Sequence, residues 1–279
     1  MQILGVIPAR GGSKGIRRKN LAPLGGRPLI AHTCEAARGS RALTRVIVST
    51  DDDEVAGEAL KLGIEVPFLR PQALAGDDTP MIDVLVDLLS TLASRESYRP
   101  DAVVLLQPTS PFRRAGHIDA AVDVFLVSGA DSVVSVVPVP HQFTPSSLMK
   151  LEGDRLIFLG GPEHPGGPEG PPLRGGRPFL GGPESPSVRR GGPSGPPDDS
   201  AGGGPGPLRR QDKPQLFARN GPAVVVVRAR VLLEQRALYG ADTRALVMSR
   251  EDSLDIDEAF DLELAELLLA ARAAGRSLA

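Results

Sequence analysis

The sequence holds a single cysteine in 279 residues. Cys34 has no partner within the chain, so an intramolecular disulfide is excluded, which fits a reducing compartment. It sits in "LIAHTCEAA", whose spacing predicts a helix, and is expected to be an inert packed thiol. An excess of one charge is also missing: 32 basic residues face 34 acidic ones, a net charge of −2. No overall basic field exists to hold a nucleic acid, so any basic patch has to be local. No apolar run approaches the roughly 20 residues of a membrane-spanning helix, and no basic stretch precedes the first apolar residues as in a secretion signal. These absences predict a cytoplasmic chain with neither nucleic acid nor membrane as partner. The two standard phosphate-binding motifs are lacking too. Lys14 follows Ser13 and not a glycine, and Gly11-Gly12-Ser13-Lys14-Gly15 is not G-x-G-x-x-G.

What is present is alternation. "RVIVST" (45–50), "DAVVLLQ" (101–107), "DSVVSVV" (131–137) and "AVVVVR" (223–228) are short Val-rich runs, apolar nearly throughout, as strands covered on both faces tend to be. Residues 1–7 read as another. Between them, residues 28–40, 52–63, 79–94 and 115–129 repeat apolar side chains at three and four, and residues 258–275 close the pattern with strong helix formers and a glycine stop. This rhythm predicts a doubly wound α/β sheet, whose ligand belongs outside the carboxyl ends of the strands.

Those ends carry charge. The first strand leads into three glycines and Arg10, Lys14, Arg17, Arg18 and Lys19, a loop suited to an anion because glycine lets backbone N–H groups approach it. A solvated basic loop is the competing account. After "SLDI" stand Asp255 and Asp257; two apart in an extended stretch, their carboxylates share a side and suit Mg²⁺, which keeps several waters and binds phosphates as well. Alternatively, Asp257 and Glu258 only favour the start of the following helix. A cationic glycine loop and paired carboxylates together are equipment for a nucleoside triphosphate with its magnesium.

One stretch breaks the rhythm. Between residues 160 and 207 stand 16 of the 32 glycines and 13 of the 27 prolines. With so few apolar side chains it cannot offset the entropy of ordering itself, and a flexible insertion is expected.

"IPARGGSKGIRRKNL", "LRPQALAGDDTPMIDV", "LLQPTSPFR", "RRQDKPQLFARNG" and "SLDIDEAFDLELAE", in that order, resemble the signature segments of the CMP-sialic acid synthetases, or acylneuraminate cytidylyltransferases. The resemblance covers residues 1 to about 159 and resumes near 208. CMP-Kdo synthetases are similar in fold but usually lack the "SKG…KN" pattern. The resemblance implies a Rossmann-like, mostly parallel α/β domain binding CTP, with a small inserted element for sugar binding and dimerisation. Residues 1–159 would then hold the nucleotide-binding domain and the start of that element, 160–207 the Gly/Pro-rich insertion, and 208–279 the sugar pocket and metal ligands. It further implies CTP and a nine-carbon keto-sugar acid as substrates, Mg²⁺ as cofactor, and a homodimer. Other keto-sugar acids (Kdo, pseudaminic or legionaminic acid), or nucleotide binding without catalysis, stand as alternatives.

The family's roles map onto positions of this sequence. Arg10, Ser13, Lys14, Lys19 and Asn20 match the triphosphate loop, Arg70 a cytidine contact, Gln107 a residue near the acceptor sugar, and Asp255 and Asp257 the magnesium ligands. Arg210 suits a sugar carboxylate because a guanidinium holds both oxygens; Gln211, Phe217 and Asn220 would line the same pocket. The chain departs from the family at Ala218, which leaves Arg219 one place late, and at the insertion, which falls where the family builds its dimer element.

Overall fold

The computed structural model describes residues 1–140, 143–144, 148–152, 155–158, 215–219, 221 and 223–275. The stretch 160–207 expected to be flexible lies outside the described residues, as do Arg210, Gln211 and Asn220. The chain divides into two compact units, Met1–Pro138 with Phe217–Ala279, and Val139–Leu216. In the second unit, β7 (Met149–Glu152) and β8 (Arg155–Phe158) form an antiparallel hairpin.

The first unit follows the alternation read from the sequence. In chain order it holds β1 (Ile3–Pro8), a small hairpin of β2 (Pro23–Leu24) and β3 (Arg27–Pro28), α1 (Leu29–Gly39), β4 (Arg45–Ser49), α2 (Asp53–Lys61) and α3 (Met81–Glu96). There follow β5 (Ala102–Leu105), α4 (Ala115–Ser128), β6 (Ser132–Pro138), β9 (Phe217–Ala218), β10 (Val225–Arg228), α5 (Ala229–Glu234), β11 (Thr243–Val247) and α6 (Ala259–Ala273). The sheet runs β11-β6-β10-β5-β1-β4, with β9 beside β6. Five strands point one way, while β10 lies antiparallel between β5 and β6, and β9 antiparallel to β6. The mostly parallel, Rossmann-like α/β fold expected from the sequence is therefore present.

Side chains leave alternate faces of a strand, and β5 shows the result. Ala102, Val104 and Leu106 pack with α1, α2 and α4, whereas Val103 and Leu105 pack with α3 and α5. Every residue of β1 and β5 is buried, which explains their unbroken apolar runs. A third cluster joins Leu24, Leu29 and Phe112 to Ile256, Ala265 and Leu268, fastening α6 beside the loops that leave β1 and β5. The strand direction brings Ala9–Ala22, Asp51–Asp53, Gln107–Arg114 and the approach to β10 to one end of the sheet.

Candidate active site

At that end the glycine loop meets the segment before α6. Lys19, in a short 3-10 turn (Lys19–Leu21), donates from Nζ to the Ile256 carbonyl at 2.9 Å and to Asp257 Oδ1 at 3.0 Å. Gly15 lies so close to the Asp257 carbonyl that a Cβ there would overlap it, so this glycine is required by contact and not by its φ. Asn20 donates from Nδ2 to the Arg10 carbonyl at 2.8 Å and closes the loop on itself. Gly11 N–H donates to Asp51 Oδ1 at 3.0 Å, tying the loop to the end of β4.

Five clustered cations repel one another unless compensated, and the chain compensates most of them itself. Arg10 pairs with Asp77 at 2.6 Å and Lys14 with the same carboxylate at 3.4 Å. Burial raises the Asp77 carboxyl, but the bonds from Lys14 and Arg10 outweigh it and hold the pKa below the ordinary range. Arg18 reaches Glu54 at 2.5 Å and Asp52 at 3.5 Å. Arg17 and Ser13 have no side-chain partner among the described residues. Asp77, from the stretch "LRPQALAGDDTPMIDV", joins the loop only through the fold.

The carboxylate pair is asymmetric. Ser110 Oγ lies 3.4 Å from Asp255 Oδ1 and donates to the Gly221 carbonyl at 3.1 Å. Burial pushes the Asp255 carboxyl above its usual range; Thr109, Lys19 and Ser110 oppose the rise and the charge of Asp257 adds to it. Gly221 has φ +20°, and a Cβ on it would fall inside the Asp255 carboxylate. Asp257 is 72% exposed at its side chain and does not cap α6. Glu258 is the N-cap, in a reciprocal box with Asp261, whose carboxylate also accepts the Asp257 N–H at 2.9 Å. Likewise Asp52 caps α2, accepting from Glu54 and Val55 N–H.

Arg70 is 7% exposed and bonds Ser49, through Nη2 to the carbonyl at 2.6 Å and Nε to Oγ at 3.2 Å; burial lowers its pKa. Gln107, half-buried after β5, makes no side-chain hydrogen bond among the described residues. Its carbonyl accepts from Arg113, a guanidinium 2% exposed that also donates to the Ala223 carbonyl and to Thr33 Oγ1. Burial lowers the Arg113 pKa to about 9, so it stays charged at neutral pH. Phe217 is half-exposed on β9, and Arg219 is engaged by Tyr239, donating to its Oη. Cys34 is buried, and burial pushes its thiol up to about 12, as an inert packed thiol requires.

Three expected groups thus come together: the loop with Arg10, Lys14, Lys19 and Asn20, the strand-end residues Arg70 and Gln107, and the pair Asp255 and Asp257. Sequence reading assigned no role to Asp77, Ser110, Arg113 or Gly221, although all four lie in stretches already singled out, "LRPQALAGDDTPMIDV", "LLQPTSPFR" and "RRQDKPQLFARNG".

An α/β sheet whose carboxyl end carries a cationic glycine loop beside two carboxylates has the charges that a nucleoside triphosphate with its metal ion calls for. A sequence model described as cytidylyltransferase matches residues 4–150, and the chain belongs to that family. It is 46% identical over 139 residues to the CMP-N,N'-diacetyllegionaminic acid synthase of Legionella pneumophila, covering 50% of this chain and 59% of that protein. It is 30% identical over 264 residues to the N-acylneuraminate cytidylyltransferase of Escherichia coli O18:K1:H7, covering 95% of this chain and 51% of that protein. The chain therefore spans about half to three-fifths of the length of these curated relatives. The solved CMP:2-keto-3-deoxy-manno-octonic acid synthetase complexed with CTP shares its fold, with a TM-score of 0.63 at 16% identity over 98% of this chain and 100% of that one. The resemblance to the CMP-sialic acid synthetases is borne out by these relatives.

Proposed function

We propose that this chain is a Mg²⁺-dependent cytidylyltransferase that activates a nine-carbon keto-sugar acid of the sialic acid type. The anomeric hydroxyl would attack the α-phosphate of CTP, forming the O–Pα bond, breaking the bond to the bridging oxygen and releasing CMP-sugar, pyrophosphate and a proton. The observation that carries this reading is the meeting of Lys19 with Asp257, which joins the cationic loop to the carboxylate pair across 238 residues of sequence.

In this reading Arg10, Ser13, Lys14 and Asn20 hold the triphosphate, and Lys19 offsets charge growing on the transferring and leaving phosphates. Arg70 contacts the cytidine, and Gln107 directs the acceptor. Arg210, Gln211, Phe217 and Asn220 hold the sugar acid, its carboxylate on Arg210. Catalysis rests on positioning and charge neutralisation.

The donor set suits Mg²⁺: two carboxylates on one segment, one of them raised in pKa by burial and by its neighbour's charge, a cost that a dication relieves. Asp255 and Asp257 would hold the ion, which when bound neutralises and orients phosphate oxygens. The proposed site of action is the cytoplasm. The homodimer rests on the family resemblance and is tested by light scattering in solution.

The identity with a legionaminic acid enzyme favours a second acceptor of the same size class. One experiment covers both: pyrophosphate release from CTP with a panel of keto-sugar acids, with and without Mg²⁺. Turnover with CTP and one nine-carbon acid is expected. Equal turnover with UTP or ATP would remove the assignment.

A further inference from the structure

Asp252 stands three residues before Asp255 and is 7% exposed. A carboxylate this deep needs partners for both oxygens, and two helices and its own segment supply them. Oδ2 accepts from Arg114 Nη2 at 2.8 Å and from Ser249 Oγ at 2.9 Å, and Oδ1 accepts from Arg272 Nη2 at 2.9 Å. Arg114 is the N-cap of α4, and Arg272 lies in the last turn of α6 with its guanidinium 4.7 Å from the Phe112 ring centroid. His117 Nε2 faces the same carboxylate at 3.7 Å. The Arg114 N–H donates to His117 Nδ1 at 3.2 Å, and Arg114 Nη2 lies 3.3 Å from His117 Nε2.

One side chain therefore fastens the segment after β11 to both α4 and α6. Downstream, the Ile256 N–H donates to the Thr109 carbonyl at 2.8 Å. Asp255 lies between these two anchors, and Asp257 one residue beyond the second. We propose that Asp252 is a positioning residue for the Asp255–Asp257 pair, an ion-paired hub that sets where the two carboxylates stand. This rests on the reading of that pair as the metal ligands. Groups that touch and orient metal ligands are worth about 10–100-fold in metal binding; Asp252 acts on the pair through the anchored segment.

The test uses the full chain and Mn²⁺ alone, with free Mn²⁺ read by electron paramagnetic resonance. Asp252→Asn keeps the shape and removes the charge that three donors share; its Mn²⁺ dissociation constant should rise by about 10–100-fold. Arg114→Gln removes one anchor from a side chain 68% exposed, so it leaves folding intact and should shift the constant in the same direction by less. In turnover, Asp252→Asn should need more Mg²⁺ for half-activation while keeping much of kcat at saturation. A folded Asp252→Asn with Mn²⁺ affinity within about twofold of the wild type would overturn the proposal, as would an unmoved Arg114→Gln should Asp252→Asn fail to fold. Asp257→Asn is the reference: if it binds Mn²⁺ as the wild type does, the carboxylate pair itself fails, and Asp252's part falls with it.

Discussion

Lys19 and Asp257 show how one contact separates function from folding. Asp257 is mostly exposed, and the cap it would otherwise supply to α6 is made by Glu258 and Asp261. Asp257→Asn should therefore lower magnesium-dependent turnover by about 10²-fold or more with little change in Tm. Lys19→Ala should do likewise through lost charge stabilisation. Steady-state kinetics beside thermal melts check both, and near-normal turnover in Asp257→Asn at saturating Mg²⁺ would sink the metal assignment. Asp77 predicts the opposite sign. It already occupies Arg10 and Lys14, so an incoming phosphate has to compete with it. Asp77→Asn should tighten binding of inorganic pyrophosphate, measured by calorimetry; weaker binding would mean that Asp77 holds the two cations in place for the ligand.

At the level of elements, α4 shows how packing and charge share the work. Phe125 is fully buried against the sheet, with the Arg228 guanidinium 4.9 Å from its ring centroid. Phe125→Ala should cost about 3–5 kcal/mol, seen as a lower denaturation midpoint. On the same helix, Asp119 receives the Ser40 hydroxyl at 2.6 Å and the N–H groups of Arg41 and Ala42, which pins the turn after α1. Burial raises the Asp119 carboxyl, but those bonds outweigh it and depress the pKa. A depressed carboxyl stabilises the fold above its unfolded value and loses that contribution as pH falls through the folded one. Asp119→Asn should thus be less stable than the wild type at neutral pH, with the gap closing in acid below the ordinary carboxylate range. Denaturant melts at several pH values check this.

For the whole molecule, a site built from both ends of the chain couples ligand binding to global stability. CTP with Mg²⁺ at about 100 times Kd should stabilise the fold by about 2.7 kcal/mol, a rise in Tm of about 5–10 °C. The same addition to Asp257→Asn should give a much smaller shift in differential scanning fluorimetry.

The sequence alone determined the elements with strong local signals. Apolar runs, four of them Val-rich, became β1, β4, β5, β6 and β10 because strands covered on both faces have no polar side to show; four helices fell where apolar residues recur at three and four, and α6 where strong helix formers end in a glycine. It also named the glycine loop and the pair Asp255 and Asp257, since strand ends and charge clusters are visible in one dimension, whereas Arg70 and Gln107 were named through the family resemblance. It did not reveal β11, whose residues Thr243–Val247 are mostly exposed at the sheet edge and hold only the short apolar stretch Ala245–Val247. Nor did it reveal the antiparallel course of β10, because direction is fixed by which neighbours share hydrogen bonds. Only the tertiary structure paired Arg10 and Lys14 with Asp77, buried Arg113 beneath Gln107, and gave both oxygens of Asp252 to side chains from separate elements. These contacts join residues far apart in sequence, and Coulomb attraction and hydrogen bonding act at distances that only the folded chain sets.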